Sequence, residues 1–331
     1  MRFLKFFGGA GLALLIFLLL LALFMKDEAE TSQSVVIKTN AQTVFRMVNS
    51  LQNWEQWSPF YEGENDLHSV FSGPDRGVGN KHRWQGSANS GEQEIIRSEP
   101  YHLIQCRLDM GRFADAMDEW RFDDTVGGVK VTWTLRLSHL SYPFHRYFGY
   151  FLKSTMEPLQ KRGLEKLREL TENMPYAAEV SIVDYAPVLG LSRQAQASAD
   201  SIPQAMDQAW KILTNAMKTS RISAEGSPFA LIRRDEKAAN TFFRVVFPIA
   251  EEAKEQEGVS LFPFAGGKMA MARYSGGHKY LEHIEHDILE YMADFGLHPA
   301  GNVFLERYEV GPLNTADTSQ WITEVFCPIM Q

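Results

Sequence analysis

An α+β protein of two domains is predicted by three features of this 331-residue sequence. The first half strings strand-like segments together and closes on one long amphipathic helix; the second half shows a strand–helix–strand–strand order twice; Met174-Pro175 marks the change of pattern between them. At roughly 150 residues per domain the length fits two folded domains. A composition of 45% hydrophobic, 22% charged and 12% aromatic residues supplies two apolar cores and excludes disordered or low-complexity architectures. The net charge is −8, and residues 1–26 carry only bases (Arg2, Lys5, Lys26), so the rest of the chain is more acidic still. Such a body repels a phosphate backbone, and no nucleic-acid partner is expected. Two cysteines, Cys106 and Cys327, make neither a disulfide framework nor a four-thiolate zinc site.

The N-terminal segment, residues 1–30, reads as an anchor and its flank. Phe6–Met25 holds no charged side chain over 20 residues. At 1.5 Å per residue that equals the roughly 30 Å hydrocarbon thickness of a bilayer. A cleaved secretory signal is the alternative, but the run exceeds the usual apolar region of about 7–15 residues and no small-residue cleavage pattern follows it. Arg2 and Lys5 precede the span, while Asp27, Glu28 and Glu30 follow it. The expectation is a single-pass inner-membrane protein with its folded domains outside the cytoplasm.

Residues 33–173 form the first domain. A β-branched run, Ser34–Thr39, leads to Asn40, an N-cap for the helical AQTVFRMVNSL. Alternating segments follow at Asn80–Gly86, Gln93–Ser98, Leu103–Met110, Asp118–Asp123 and Val129–Ser138, with glycine-rich turns between several of them. The period then changes. Leu152, Met156, Leu159, Gly163, Leu167 and Leu170 fall within about 80° of arc on a helix. Gly163 lets a sheet approach that stripe, and Pro158 predicts a kink or a restart. The expected form is a curved antiparallel sheet gripping a long C-terminal helix, with a cavity between them. Trp54, Trp57, Trp84, Trp120 and Trp133 read first as core; as cavity walls, Trp84 and Trp120 are the candidate ligand contacts. The aromatic Tyr142–Phe151 reads as packing, with a gate or a bilayer contact as alternatives.

These segments resemble the SRPBCC superfamily (START-like, polyketide cyclase/dehydrase-like). The likeness rests on VVIKTNAQTVFRMVNSLQNWEQWSPF, GVGNKHRWQGS, DEWRFDDTVGGVKVTWTL and EPLQKRGLEKLREL, and covers nearly all of residues 34–172. It implies a helix-grip fold with a hydrophobic ligand cavity, without implying a reaction.

Residues 176–331 form the second domain. AEVSIVDYAPVLGLS is strand-like, and Asp200-Ser201-Ile202-Pro203 starts a helix with Met206, Trp210, Leu213 and Met217 on one face. Strands Phe229–Arg233 and Phe242–Ile249 follow. The order then recurs: a strand at Lys268–Tyr274, a helix with Tyr280, Ile284, Ile288 and Tyr291 on one face, and strands Val303–Tyr308 and Trp321–Pro328. RVVFPI and EVFCPI place prolines 80 residues apart, and the helix-ending Met217 and Met292 lie 75 apart. An internal duplication is expected, with a shared groove near its pseudo-twofold axis.

On strand Val303–Tyr308, alternation puts Phe304, Glu306 and Tyr308 on one face. A carboxylate between two aromatics sits either at an exposed edge or in a partly buried site. There a cationic ligand compensates its charge and the rings add cation–π attraction. A solvated glutamate, or an ion pair with Arg244 or Arg273, is the alternative. Tyr280, Trp210 and Trp321 are further candidates for the groove wall. This half is similar to the GyrI-like, or AraC-type effector-binding, domain, through GGKMAMARYSGGHKYLEHIEHDILEYM, FLERYEVGP and SQWITEVFCPI. The resemblance implies binding of small cationic or aromatic molecules by an acidic residue among aromatics, here Glu306. It also implies, as a rival, hydrolysis of a small xenobiotic through that glutamate and a tyrosine such as Tyr308.

Other chemistry is not expected. His283 and His286 point about 120–180° away from the apolar face of their helix, so with His278 and Asp287 they make poor zinc geometry. Cys327, before Pro328 in an apolar strand, reads as a buried inert thiol. No P-loop, dinucleotide fingerprint or nucleophile elbow occurs, so no cofactor and no metal are expected. The reading is a membrane-anchored protein binding a small hydrophobic or cationic aromatic ligand. A hydrolase and a protein–protein interaction module are the alternatives.

Overall fold

The structure is a computed structural model that describes residues 2–62, 68–86, 90–109, 115–233, 240–250 and 257–330; at 2–10 and 199 it describes backbone only. The end of the predicted strand at Met110 lies outside the described residues. The chain folds as two compact units, Met1–Met174 and Pro175–Gln331.

In the first unit, α1 (Arg2–Leu23) precedes β1 (Ala29–Ile37), α2 (Ala41–Val48), β2 (His68–Ser72), β3 (Lys81–Gln85), β4 (Ser90–Glu99), β5 (Leu103–Asp109), β6 (Asp115–Thr125), β7 (Gly128–Ser138) and α3 (Phe144–Glu172). The seven strands form one antiparallel sheet in the order β1-β7-β6-β5-β4-β3-β2. The helix α3 packs on β1 and β7. Asn40 caps α2 by accepting a 2.8 Å hydrogen bond from the Thr43 amide. The core gathers Trp54, Trp57, Trp120 and Trp133 with Phe45, Ile95 and Leu167. On α3, Gly163 allows the close approach of Pro59 and Trp133, which would lie 2.9 and 3.1 Å from an added Cβ. Beside it Gln160 is fully buried, donating to the Trp133 carbonyl at 3.2 Å and accepting from Thr31 Oγ1 at 3.0 Å.

Two expectations are corrected here. The helix α3 runs through Pro158 as one element, so the helix does not restart there. Pro158 is on the exposed side, where water can satisfy the Ser154 carbonyl that loses its amide partner. The membrane span over Phe6–Met25, and with it a single-pass inner-membrane location, is not upheld: among the described residues no helix is long and apolar enough to cross a membrane. The aromatic start of α3 hydrogen-bonds to the C-terminal part of α1. Tyr147 and Tyr142 donate to the carbonyls of Leu18 (2.6 Å) and Leu19 (2.8 Å), and Arg146 donates to those of Ala22 and Met25, both at 3.1 Å.

The second unit contains β8 (Val180–Tyr185), β9 (Val188–Ala197), α4 (Ile202–Ser220), β10 (Phe229–Arg233), β11 (Thr241–Pro248), β12 (Ser260–Phe264), β13 (Gly267–Ser275), α5 (Leu281–Asp294), β14 (Val303–Val310) and β15 (Ile322–Pro328). Its eight-stranded sheet has the order β12-β9-β11-β10-β14-β15-β13-β8. Each strand–helix–strand–strand run occupies half of the sheet, and the last strand of each, β11 and β15, carries one of the two echoing proline segments. The edge strands are exchanged: β8 pairs with β13, and β12 with β9. The two halves meet where β10 pairs antiparallel with β14. The helix α4 packs on β9 and β11, and α5 on β13 and β15, so the central strands are left between two helix-covered regions.

Candidate functional site

A cavity of about 640 Å³ opens over that central pair. Glu306 and Tyr308 of β14 and Ile232 of β10 line it from the sheet, Met206 and Trp210 from α4, His278 and Leu281 from the start of α5, and Trp321 from the approach to β15. Glu306 is 3% exposed and pairs across the ladder with Ala230, whose methyl leaves the space in front of the acid open. The Tyr308 hydroxyl donates to Glu306 Oε2 at 2.6 Å, a short charge-assisted bond from a residue two along the same strand face. The rings are fixed by their own contacts. Trp210 stands edge-on to Tyr308, with centroids 6.1 Å apart, and the Trp321 indole donates to the Thr315 carbonyl at 2.9 Å. His278 lies 4.5 Å from the Trp321 ring and 5.3 Å from that of Tyr308. Burial pushes its imidazole down to about 4, so it is neutral at pH 7.

The charged side chains at the rim are mostly acidic. Asp207 and Glu282 border the cavity with Lys279, which sits over the Tyr280 ring at 4.6 Å, while Asp207 pairs with Lys211 at 2.6 Å. Arg307, on the opposite face of β14, stacks over Tyr185 and Phe326 and pairs with Glu324. Arg273 also bonds Glu324, at 3.1 Å, and Arg244 donates to Ser192 and Gln194.

Of the residues singled out in this half, Glu306, Tyr308, Trp210 and Trp321 meet at the cavity, and Tyr280 and Phe304 stand apart from its lining. Phe304 is 4% exposed and packs in the core beneath α5 with Ile284 and Ile288. Tyr280 packs against Tyr176 and Tyr274. Strand alternation put Phe304 on the correct face, but α5 covers that stretch of it. His278 was considered only as a metal ligand; its place in the cavity follows from the turn Gly276-Gly277, which starts the helix at the cavity edge. Among the described residues no group of three His, Cys, Asp or Glu side chains could hold a metal. Cys327 is fully buried, and burial pushes its thiol up to about 12.

The first unit has a cavity of about 300 Å³ between its sheet and α3. Trp84 lines it, while Trp120 lies one layer deeper, stacked 4.4 Å from Trp133, which does line it. Sequence reasoning passed over a carboxylate there. Asp118 is 3% exposed, accepts from the Trp133 indole at 2.9 Å and from Gln93 Nε2 at 3.4 Å, and burial pushes it up to about 7. His82 lines the same cavity; its ring nitrogens lie 3.0 Å from the Tyr61 hydroxyl and 3.0 Å from Ser69 Oγ, and burial lowers it to about 4.

A ring-walled hollow with a buried acid in each of two α+β units defines a class: small-molecule-binding domains that fix orientation through few polar groups. Residues 28–172 match the family model described as polyketide cyclase / dehydrase and lipid transport, and residues 179–330 match the GyrI-like small molecule binding domain. The chain carries a polyketide cyclase-like domain followed by a GyrI-like domain. Among solved structures it is similar to the EcmrR C-terminal domain, at 15% identity over 48% of this chain and 99% of that one, with a TM-score of 0.42. It is also similar to the protein CV1439 from Chromobacterium violaceum (14% identity, 44% and 99% of the chains, TM-score 0.32). A third is a hydrolase encoded by lin2189 from Listeria innocua (11%, 46% and 92%, TM-score 0.36). No curated protein matches the chain.

Proposed function

We propose that the second unit binds a small aromatic cation, held between the rings of Trp210, Trp321 and Tyr308 with its charge toward Glu306. The observation that carries this reading is the burial of the Glu306 carboxylate at the floor of a ring-lined cavity of about 640 Å³. A desolvated carboxylate gains more from a cation than an exposed one does, and ring faces add roughly 0.5–2 kcal/mol. The acidic rim and the neutral His278 keep the approach open to positive charge. Calorimetric titration of the full chain with a planar aromatic monocation such as acriflavine tests it. Glu306→Gln should weaken binding about ten-fold or more, equivalent to ~1.4 kcal/mol, and should leave a neutral acridine's affinity within about two-fold. Equal affinity of the cation for the two proteins overturns the reading.

A second reading has one specific observation in its favour. The 2.6 Å contact between the Tyr308 hydroxyl and Glu306 is also a proton-transfer geometry. A hydrolase using that pair would turn over a strained electrophile, and Glu306→Gln would abolish turnover while the neutral substrate still bound.

A further inference from the structure

We propose that the cavity of the first unit is a second cation site, taking a small molecule whose flat apolar body fills the hollow and whose protonated amine rests against Asp118. The inference rests on the reading of that domain as a small-molecule binder and adds the chemistry of the ligand. Asp118 is the acid at issue because of where β6 places it. Ala116, Asp118, Trp120 and Phe122 alternate onto the inner face, all buried, so the carboxylate occupies a position in the register that its neighbours fill with apolar side chains. Its two described donors, the Trp133 indole and the Gln93 amide, are neutral, and the Gln93 contact is long at 3.4 Å. They orient the group without cancelling its charge. Each carboxylate oxygen has a further lone pair to offer.

Among the described residues the cavity lining contains no lysine or arginine. Nearby cations serve the outer face of the sheet instead: Arg121 and Arg136 pair with Glu119, at 2.8 and 3.4 Å. Among the described residues, the other titratable groups lining the hollow or packed beside Asp118 are uncharged near neutral pH. Cys106, opposite Asp118 on β5, has its thiol raised by burial; Tyr61 is raised likewise; His82 on β3 is lowered to about 4. The helix α3 contributes Phe148, Leu152 and Met156, and β7 contributes Trp133, Leu135 and Leu137, none of them charged. A ligand carboxylate would therefore meet like charge and no counter-ion. An alcohol would gain a hydrogen bond and leave the charge of Asp118 where it was. Above the pH at which Asp118 gives up its proton, a cation is the ligand that removes the penalty of the ionised acid in an apolar pocket.

The test uses the full chain carrying Glu306→Gln and Trp210→Ala, which removes the second unit's preference for a cation and one ring of its wall, so that the amine-over-alcohol preference reports the first unit. Calorimetry compares 2-(2-naphthyl)ethylamine with the neutral 2-(2-naphthyl)ethanol at pH 5.5 and pH 8, and N-phenyl-1-naphthylamine reports apolar occupancy. The alkylamine keeps its proton throughout, as a lysine does. With Asp118 titrating at about 7, its ionised fraction rises from about 3% to about 90% across that range. The expected result is an amine at least ten-fold tighter than the alcohol at pH 8, with the preference collapsing toward one at pH 5.5. Asp118→Asn should remove it at both pH values. Equal binding of amine and alcohol at pH 8, or a preference that survives in folded Asp118→Asn, overturns the inference and leaves the domain a small-molecule binder. Failure of all three probes to bind overturns that broader reading and the inference with it. The pH comparison needs no substitution at Asp118, so it stands whether or not that variant folds.

Discussion

In the first unit the buried acid takes its hydrogen bonds from an indole on the adjacent strand β7 and an amide on β4, two strands away. In the second, Glu306 takes one from a phenol on its own strand. Both hollows also hold a histidine that burial keeps neutral, His82 and His278. The same ingredients are integrated differently. The donor to Asp118, Trp133, is fully buried in an indole cluster with Trp54, Trp57 and Trp120 and shows its cavity one edge; the donor to Glu306, Tyr308, is 6% exposed and borders the larger hollow. The first site is an indentation in a core, and the second is a gap between two helices over the middle of a sheet. Removing a ring should therefore cost more stability at the first site than at the second.

The largest expected effect tests that distinction. Trp120 is fully buried and stacks on Trp133, so Trp120→Ala should destabilise the first unit by about 3–5 kcal/mol. Trp210 is 8% exposed and already borders open volume. Trp210→Ala should cost the second unit about 2 kcal/mol, because the change enlarges an existing hollow, while cation affinity drops several-fold. Urea unfolding read by peptide-resolved hydrogen exchange separates the units. Comparable losses in both would erase the contrast between core and gap.

Much of the fold was legible in the sequence, because periodicity reports burial directly. The stripe on α3, the alternation along β6 and β7, and the repeat of RVVFPI as EVFCPI each mark an element that buries one face. Glu306 was singled out chiefly by the likeness of FLERYEVGP to the GyrI-like domain, with its alternation in phase with Phe304 and Tyr308 as support. Asp118 was not. In the acid-rich DEWRFDD its phase with Trp120 and Phe122 was the available signal, but its donors come from Gln93 and Trp133, which only sheet pairing brings near. Tyr280 and Phe304 show the converse limit: periodicity assigns a face, and tertiary packing decides which part of that face a helix covers. The apolar N-terminal run illustrates a third case, in which composition alone suggested a span.

The next effect is a contrast in pH response. Folded Asp118 holds its proton to about 7, whereas the ordinary value is 3.8, so between those pH values the folded state binds more protons. Its contribution to stability therefore declines as pH rises from about 4 to 7. His82 acts in the opposite sense: lowered from 6.5 to about 4, it costs stability as pH falls through that window, by up to about 3 kcal/mol. The two nearly cancel from pH 7 to pH 5, so the first unit should change little in urea midpoint over that range. His278 has the same acid sensitivity as His82, and acidification should weaken the second unit. Asp118→Asn removes one side of the balance. The first unit should then be stabilised at pH 8, by up to about 4 kcal/mol, and become acid-sensitive like the second. An unchanged pH profile in that variant would mean Asp118 is not desolvated as described.

The smallest effect concerns the donors. Trp133 cannot lose its indole N–H without disturbing a core, but Tyr308→Phe removes a hydroxyl from a cavity wall and keeps the ring. Losing the 2.6 Å bond to Glu306 should cost about 1–2 kcal/mol of stability, measured by urea unfolding. Cation affinity should move by less than about three-fold, because the carboxylate charge and the ring face that recognise the ligand both remain. The phenol in this account orients Glu306 and carries no proton to a substrate. Under the hydrolase reading the same change deletes the proton donor, and turnover of an electrophile would fall by about 100-fold or more while binding persisted. Tyr308→Phe thus separates an acid held ready for a cation from one paired for chemistry. It does so by a substitution that the gap site tolerates and that the core-embedded site of the first unit does not allow.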